Sequence, residues 1–218
     1  MMHEFQVVWE HKDLMLSGLQ MTVVLTLISG VASLVLGLAI STMMVKRDTR
    51  LAMCLRLLID LLRCTPFLLA AYFIYYGLPV AGIVLTSWSA GLLTLIVYHS
   101  AYMAEIWAAA WTALPKESID AGHAFGYSGL SLFRRIVLPS LVLNSAGVLG
   151  NQVIQIIKDS AFLTVISIAE LTHAASQIQS EYFVPFAAFL VAMLLYWALC
   201  LLIELGVSAI GRMADARR

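Results

Sequence analysis

Lys158 and Asp159 stand side by side in a stretch that is otherwise apolar, with Gln152 and Gln155 just before them and Ser160 just after. On a helix, positions 152, 155 and 159 share one face, because steps of three and four residues return to the same side. A charged side chain at the centre of a membrane helix costs about 2.5–3.5 kcal/mol on insertion scales, so Lys158 and Asp159 require partners or a polar path. Together these groups form a polar stripe through an apolar span, which suggests a water-filled or substrate-filled path. The same stripe also suits an internal polar cluster that holds a helix bundle together, and the spacing alone leaves both readings open. Arg63, Thr65 and Pro66 open a second apolar stretch, where Pro66 removes a backbone donor and either kinks the helix into a gate or starts a new one. Glu105 ends a third stretch and is expected to pair with Arg63 or to meet a partner protein.

Other chemistries lack their residues. No Gly-Lys pair occurs, so the phosphate-cradling loop GxxxxGK[ST] is absent and energy from ATP has to come from another chain. His3-Glu4 opens like a zinc motif, but Val7 stands where the second histidine belongs, and His3, His11, His99, His123 and His173 show no ligand spacing. Gly126-Tyr127-Ser128-Gly129-Leu130 lacks the last glycine of a serine-hydrolase elbow. The expectation is a chain with no catalytic residues, no metal site and no cofactor of its own.

The elements that must position these residues are apolar helices. The 218-residue chain is 61% hydrophobic and 12% charged, with mean hydropathy +0.91, which excludes a water-soluble domain. Its net charge of zero offers no basic field for nucleic acid. The runs Leu14–Val45, Cys64–Ala104, Ile136–Ile157 and Tyr182–Ile203 contain no Asp, Glu, Lys or Arg. A crossing needs about 20 residues, and the second run is long enough for two with a turn near Gly77-Leu78-Pro79, so five spans are expected, at about 14–45, 57–76, 83–106, 136–157 and 183–205. Of the 13 Lys and Arg, all but Lys12 and Lys158 fall on one side of this topology, among them Lys46, Arg47, Arg212, Arg217 and Arg218. The positive-inside rule then puts the N-terminus outside and the C-terminus in the cytoplasm. Glu4, Glu10 and Asp13 are the wrong charge for the start of a cleavable signal peptide. Ser29, Ser33, Gly37 and Ser41 form a four-residue stripe of small side chains expected to let another helix approach closely. Cys54, Cys64 and Cys200 are expected to be small buried hydrophobes.

The segment between the third and fourth spans, residues 107–135, mixes helix formers with Pro115, Gly122 and Gly126. It contains Asp120-Ala121-Gly122, three residues, Gly126, nine residues and Ile136-Val137-Leu138-Pro139. This spacing resembles the EAA loop of ATP-binding-cassette importer permeases. Arg63-Cys64-Thr65-Pro66 followed by Ile74-Tyr75-Tyr76-Gly77-Leu78-Pro79, Ala101-Tyr102-Met103-Ala104-Glu105-Ile106, and Lys158-Asp159-Ser160 through Glu170-Leu171 resemble, in order, further segments of the polar amino acid subfamily of these permeases. Asp120 and Gly122 depart from the EAA pattern, and the glycine gives up about 1 kcal/mol of helix propensity. Cys64 and Tyr98-His99 also depart from the pattern.

The resemblance implies an all-α integral membrane protein with about five transmembrane helices and a cytoplasmic EAA-type coupling loop. It implies ATPase coupling through Asp120, Ala121, Gly122, Gly126, Leu138 and Pro139, a solute path with Gln152, Gln155, Lys158, Asp159 and Ser160, and gating or structural roles for Arg63, Thr65, Pro66, Tyr102 and Glu105. The implied partners are two ATP-binding cassette subunits that carry ATP and Mg, a second permease of the same or a sister chain, an extracytoplasmic solute-binding protein and the bilayer of a bacterial inner membrane. The implied cargo is a polar amino acid or a similar solute such as an opine or ectoine. An ion-coupled secondary transporter is the alternative, against which the absence of a visible inverted repeat counts.

Overall fold

The computed structural model describes residues 2–45 and 50–215, with side chains as far as residue 209. Lys46, Arg47, Arg217 and Arg218, and the side chain of Arg212, lie outside the described residues. Among the described residues ten α-helices follow in order: α1 Met2–Glu10, α2 Lys12–Val45, α3 Arg50–Arg63, α4 Phe67–Tyr72, α5 Ser87–Thr112, α6 Lys116–Ala124, α7 Gly129–Leu132, α8 Leu138–Ser160, α9 Leu171–Tyr182 and α10 Pro185–Asp215. A π turn, Phe73–Gly77, and a 3₁₀ turn, Leu78–Ala81, extend α4, and a second π turn, Phe133–Val137, joins α7 to α8.

Among the described residues, four segments are long and apolar enough to cross a membrane: Lys12–Val45, Ser87–Thr112, Gly129–Ile166 and Pro185–Ala209. The fifth is α3 with the α4 segment through Ala81, a pair bent by 107°. The stretch expected to cross at 57–76 is therefore a broken span and not a straight rod. Pro66 explains the break, because its ring takes away a backbone donor and favours an extended residue ahead of the next helix. The third helix begins at Ser87, where the Thr86 side chain accepts from the Ser89 N–H, and runs to Thr112, beyond the expected 106. α5 therefore continues into the expected 107–135 segment before it ends.

The core grows from the contact of α2 with α5. Gly18, Thr22, Leu25, Ser29, Ser33, Gly37, Ser41 and Met44 form the buried stripe of α2. At Gly37 the helices nearly touch, since a Cβ there would lie 2.5 Å from Met103 Cβ and 2.9 Å from the Ala104 nitrogen. Two hydrogen bonds cross the seam, from Ser33 Oγ to the Ile96 carbonyl (3.2 Å) and from Trp107 Nε1 to the Leu34 carbonyl (3.2 Å). Ser29, Thr94 and Ser145 bond back to their own helices, at the Leu25, Ala90 and Leu141 carbonyls, whereas the buried hydroxyls of Thr26 and Ser100 have no hydrogen-bond partner. The small-residue stripe serves close packing. Leu25, Leu95, Met103, Leu141, Ile156 and Leu163 complete the fully buried centre.

Large apolar side chains cover the outside as well, including Leu27, Val31, Val35, Trp197, Leu202 and Leu205. A surface of this kind is stable in hydrocarbon and not in water. The same fact corrects the expectation for the cysteines, because Cys54 and Cys64 are exposed and Cys200 is half-buried. When the solvent is lipid, a thiol has no drive to hide within the protein.

At the end of the bundle away from α6 and α7, α9 docks across the start of α2. Leu171 N–H donates to Thr22 Oγ1 (3.2 Å), and a Cβ on Gly18 would meet Ala174 and the Glu170 carbonyl at 2.9 and 3.0 Å. The buried Glu170 caps α9, its carboxylate accepting from the Thr172 and His173 N–H groups (2.9 and 2.8 Å) and from the Tyr196 hydroxyl of α10 (2.5 Å). One carboxylate thereby ties α9 to α10.

Candidate functional site

Between α5 and α8 lies a cleft of about 390 Å³ walled by Tyr98 and Tyr102 on one side and by Asn151, Gln152, Gln155 and Asp159 on the other. α8 supplies four of these because it keeps polar residues on one face in an otherwise apolar helix. Gln155 Nε2 donates to Asp159 Oδ1 at 3.0 Å. His99, from α5, reaches the same group, with Nδ1 2.8 Å from Gln152 Nε2 and Nε2 3.5 Å from Asp159 Oδ2. The cleft therefore presents one carboxylate surrounded by amides and phenols, an arrangement able to bind a single ammonium and neutral polar groups.

The break in the second span sits against the same wall. Ending α3 at Arg63 frees backbone carbonyls, which in hydrocarbon have to find donors. Tyr98 Oη donates to the Thr65 carbonyl (3.0 Å) and Tyr102 Oη to the Arg63 carbonyl (3.1 Å). The two phenols also lie 3.3 Å apart. Arg63 pairs with Glu105 at 3.7 Å, and its guanidinium lies 5.5 Å from the centre of the Tyr102 ring. Arg63, Thr65, Tyr102 and Glu105 thus meet at one place, next to the cleft, and Pro66 starts α4 there.

At the opposite end of α8 the chain forms a compact knob. Pro115 precedes α6, and Glu117 stands in its first turn, where the helix dipole favours an acid. α6 closes in a Schellman turn: Tyr127 N–H bonds to the Gly122 carbonyl (3.0 Å), Gly126 N–H to the His123 carbonyl (2.9 Å), and Gly126 has φ +80°. Ser128 and Ser131 form a capping box for α7. Gly122 is the residue that lets the knob fold on itself, since a Cβ would meet Leu132 and Ile136 methyls at 2.5 Å. Its lower helix propensity is exchanged for this contact. Asp120, Ala121 and Gly126 are exposed, Pro139 is exposed at the base and Leu138 is half-buried. Phe125 and Leu130 are 82% and 69% exposed, an apolar pair on a segment rich in charge.

The structure brings together Gln152, Gln155 and Asp159, as their common face requires. It places Lys158 elsewhere, in a groove with Thr172 and Tyr196, because neighbouring helical residues point about 100° apart. Ser160 is buried and bonds to the Ile157 carbonyl (2.8 Å), away from the cleft. Sequence reasoning missed Tyr98 and Asn151 in the cleft, His99 buried behind it, and Phe125 and Leu130 on the knob. For His99 and Tyr98 the only signal was their departure from the subfamily's pattern. For Phe125 the signal was a bulky apolar residue beside the turn glycine. Among the described residues no group of three His, Cys, Asp or Glu is placed to hold a metal ion.

Residues 17–214 match the family model described as the binding-protein-dependent transport system inner membrane component. A probable glutamine ABC transporter permease protein of Bacillus subtilis, GlnM, is 27% identical over 93% of this chain and 94% of its own length. The glutamine transport system permease protein GlnP of Escherichia coli K12 is 29% identical, covering 82% of each chain. In structure, the chain is similar to an amino acid ABC transporter crystallised with histidines, with a TM-score of 0.86 and 29% identity over 96% of this chain and 98% of that one.

Proposed function

Since the chain belongs to the family of binding-protein-dependent transport system inner membrane components, we propose that it conducts an amino acid through the cleft between α5 and α8 while its knob docks on the ATPase. It is a multi-pass membrane subunit of an ATP-driven importer, and the family works with an ATPase and a solute-binding protein. The observation that carries the mechanism is the continuity of α8: its first turns grow out of the knob through the Phe133–Val137 π turn, and its far half bears Gln152, Gln155 and Asp159. A movement of the knob is thereby delivered to the cleft by one rigid element.

In this reading ATP and Mg sit on two cassette subunits, a second permease of the same or a sister chain completes the pathway, and the N-terminus lies outside. ATP binding stabilises one arrangement of the bundles by differential contact at the knob, and hydrolysis releases it. The Arg63–Glu105 pair and the tyrosine-capped break form the gate flanking the cleft. The glutamine and amino acid relatives support an amino acid as cargo over an opine or ectoine. They are permeases of ABC systems, which disfavours the ion-coupled alternative. The test is reconstitution with the cassette subunit and binding protein from the same host: ATP-dependent amino acid uptake into vesicles supports the reading, and uptake driven by an ion gradient without ATP overturns it.

A further inference from the structure

His99 is fully buried between the two α8 side chains that dominate the cleft, and its Nε2 has no hydrogen-bond partner within bonding distance, the nearest group being Asp159 Oδ2 at 3.5 Å. Its other nitrogen lies 2.8 Å from Gln152 Nε2. The chemistry of these groups fixes their roles. An amide nitrogen only donates, so the ring Nδ1 facing it accepts, and the proton of the neutral imidazole sits on Nε2, towards Asp159. The flipped amide would put the proton on Nδ1 and turn a bare nitrogen lone pair on a carboxylate, which is repulsive at this depth. With its nitrogen engaged by the ring, Gln152 has its carbonyl oxygen left for the cleft. Asp159 accepts from Gln155 on one oxygen and faces His99 across 3.5 Å on the other.

We infer that His99 is a positioning residue that selects the solute's side chain: it holds Gln152 with the carbonyl presented to the cleft, beside the single carboxylate of Asp159. The path then takes amino acids whose side chain is neutral and donates hydrogen bonds, of the carboxamide kind, and turns away a second cationic group. This inference rests on the cleft being the solute path. Among the described residues Asp159 is the one charged side chain lining it; Arg63 and Glu105 neutralise each other at the break, and Lys158 faces the groove beside α9 and α10. An ammonium at Asp159 therefore leaves a cationic side chain without a counter-charge, and an unpaired charge away from water is expensive.

The test is equilibrium binding of L-glutamine and of L-arginine to the purified permease–ATPase complex in detergent, without the binding protein, so that selectivity is read on this chain alone. The wild type is expected to prefer glutamine by about tenfold, the scale of one well-placed polar contact. His99→Leu, which frees the Gln152 amide and removes the ring facing Asp159, should bring the ratio to within about twofold, the contact having been lost. His99→Asn keeps an acceptor for Gln152 and should retain most of the preference. An unchanged ratio in His99→Leu overturns the inference, and so does equal loss in Leu and Asn, which would make His99 a matter of volume alone. Should the Leu variant not co-purify with the ATPase, His99→Ala reads the same ratio. Asp159→Asn separates the two levels: undiminished glutamine binding there removes the cleft from the path, whereas its loss with an unmoved His99 ratio removes only the role of His99.

Discussion

Tyr98 and Tyr102 each do two things at once, lining the cleft with a ring and satisfying a carbonyl of the broken span with a hydroxyl. Replacing Tyr98 with Phe keeps the wall and strands the half-buried Thr65 carbonyl, at a cost of about 1–3 kcal/mol for a buried unsatisfied group, and replacing Tyr102 frees the more exposed Arg63 carbonyl at a smaller cost. The double variant Tyr98→Phe/Tyr102→Phe is expected to hydrolyse ATP faster without solute than the wild type, because the break is less firmly held; equal basal rates would remove the phenols from the gate. Gln152→Glu places a second carboxylate in the cleft, and competition in vesicle uptake should then shift towards arginine over glutamine, an unmoved ratio removing Gln152 from the site. At this scale the sequence was partly legible. The three- and four-residue steps from Gln152 to Asp159 located one wall of the cleft, since period alone determines a shared face. They could not tell that Lys158 faces the groove beside α9 and α10 and not this cleft. A single histidine in an apolar run likewise carries no period, so His99 became visible only once α5 was set against α8.

Among the elements, the knob is the part whose sequence pattern translated most directly into structure. Gly126 stands where a left-handed residue ends α6, and Gly122 stands where α6 has to fold close to the next helix. The span break was less legible: Pro66 marked the place, but a 107° bend depends on the tyrosines that cap it from another helix. Asp120→Lys and, separately, Phe125→Ala are expected to lower uptake at least about tenfold while leaving membrane insertion intact, because the interface loses a charge match or its apolar anchor. Uptake at the wild-type rate in both would exclude the knob from coupling. Gly37→Leu tests the α2–α5 seam. Its side chain meets Met103 and the backbone at Ala104, so overpacking should cost about 1–3 kcal/mol or more and lower the thermal midpoint measured by detergent-phase unfolding. A midpoint equal to wild type would mean the seam is looser than the contact distances indicate.

For the molecule as a whole, hydropathy and the placement of Lys and Arg suggested spans and an orientation, and the described structure supplies the helices that could carry them. Single cysteines introduced at Trp9 and at Phe125 into a cysteine-free background report the orientation directly. Impermeant maleimide applied to intact cells after outer-membrane permeabilisation is expected to label position 9 and spare position 125; the reverse pattern would invert the topology. Cys54 and Cys64 have to be removed for this experiment, since both are exposed. The length of α2 has a consequence of its own. Its 34 residues extend about 51 Å at 1.5 Å per residue, against a hydrocarbon layer of about 30 Å. Such a rod has to lean or protrude, yet its contacts with α5 at Gly37 and with α9 at Gly18 hold it at both ends, so it has little freedom to change its slope. The lipid has to yield instead, and the transporter becomes sensitive to bilayer thickness, working fastest in acyl chains of one length and more slowly in thinner or thicker ones.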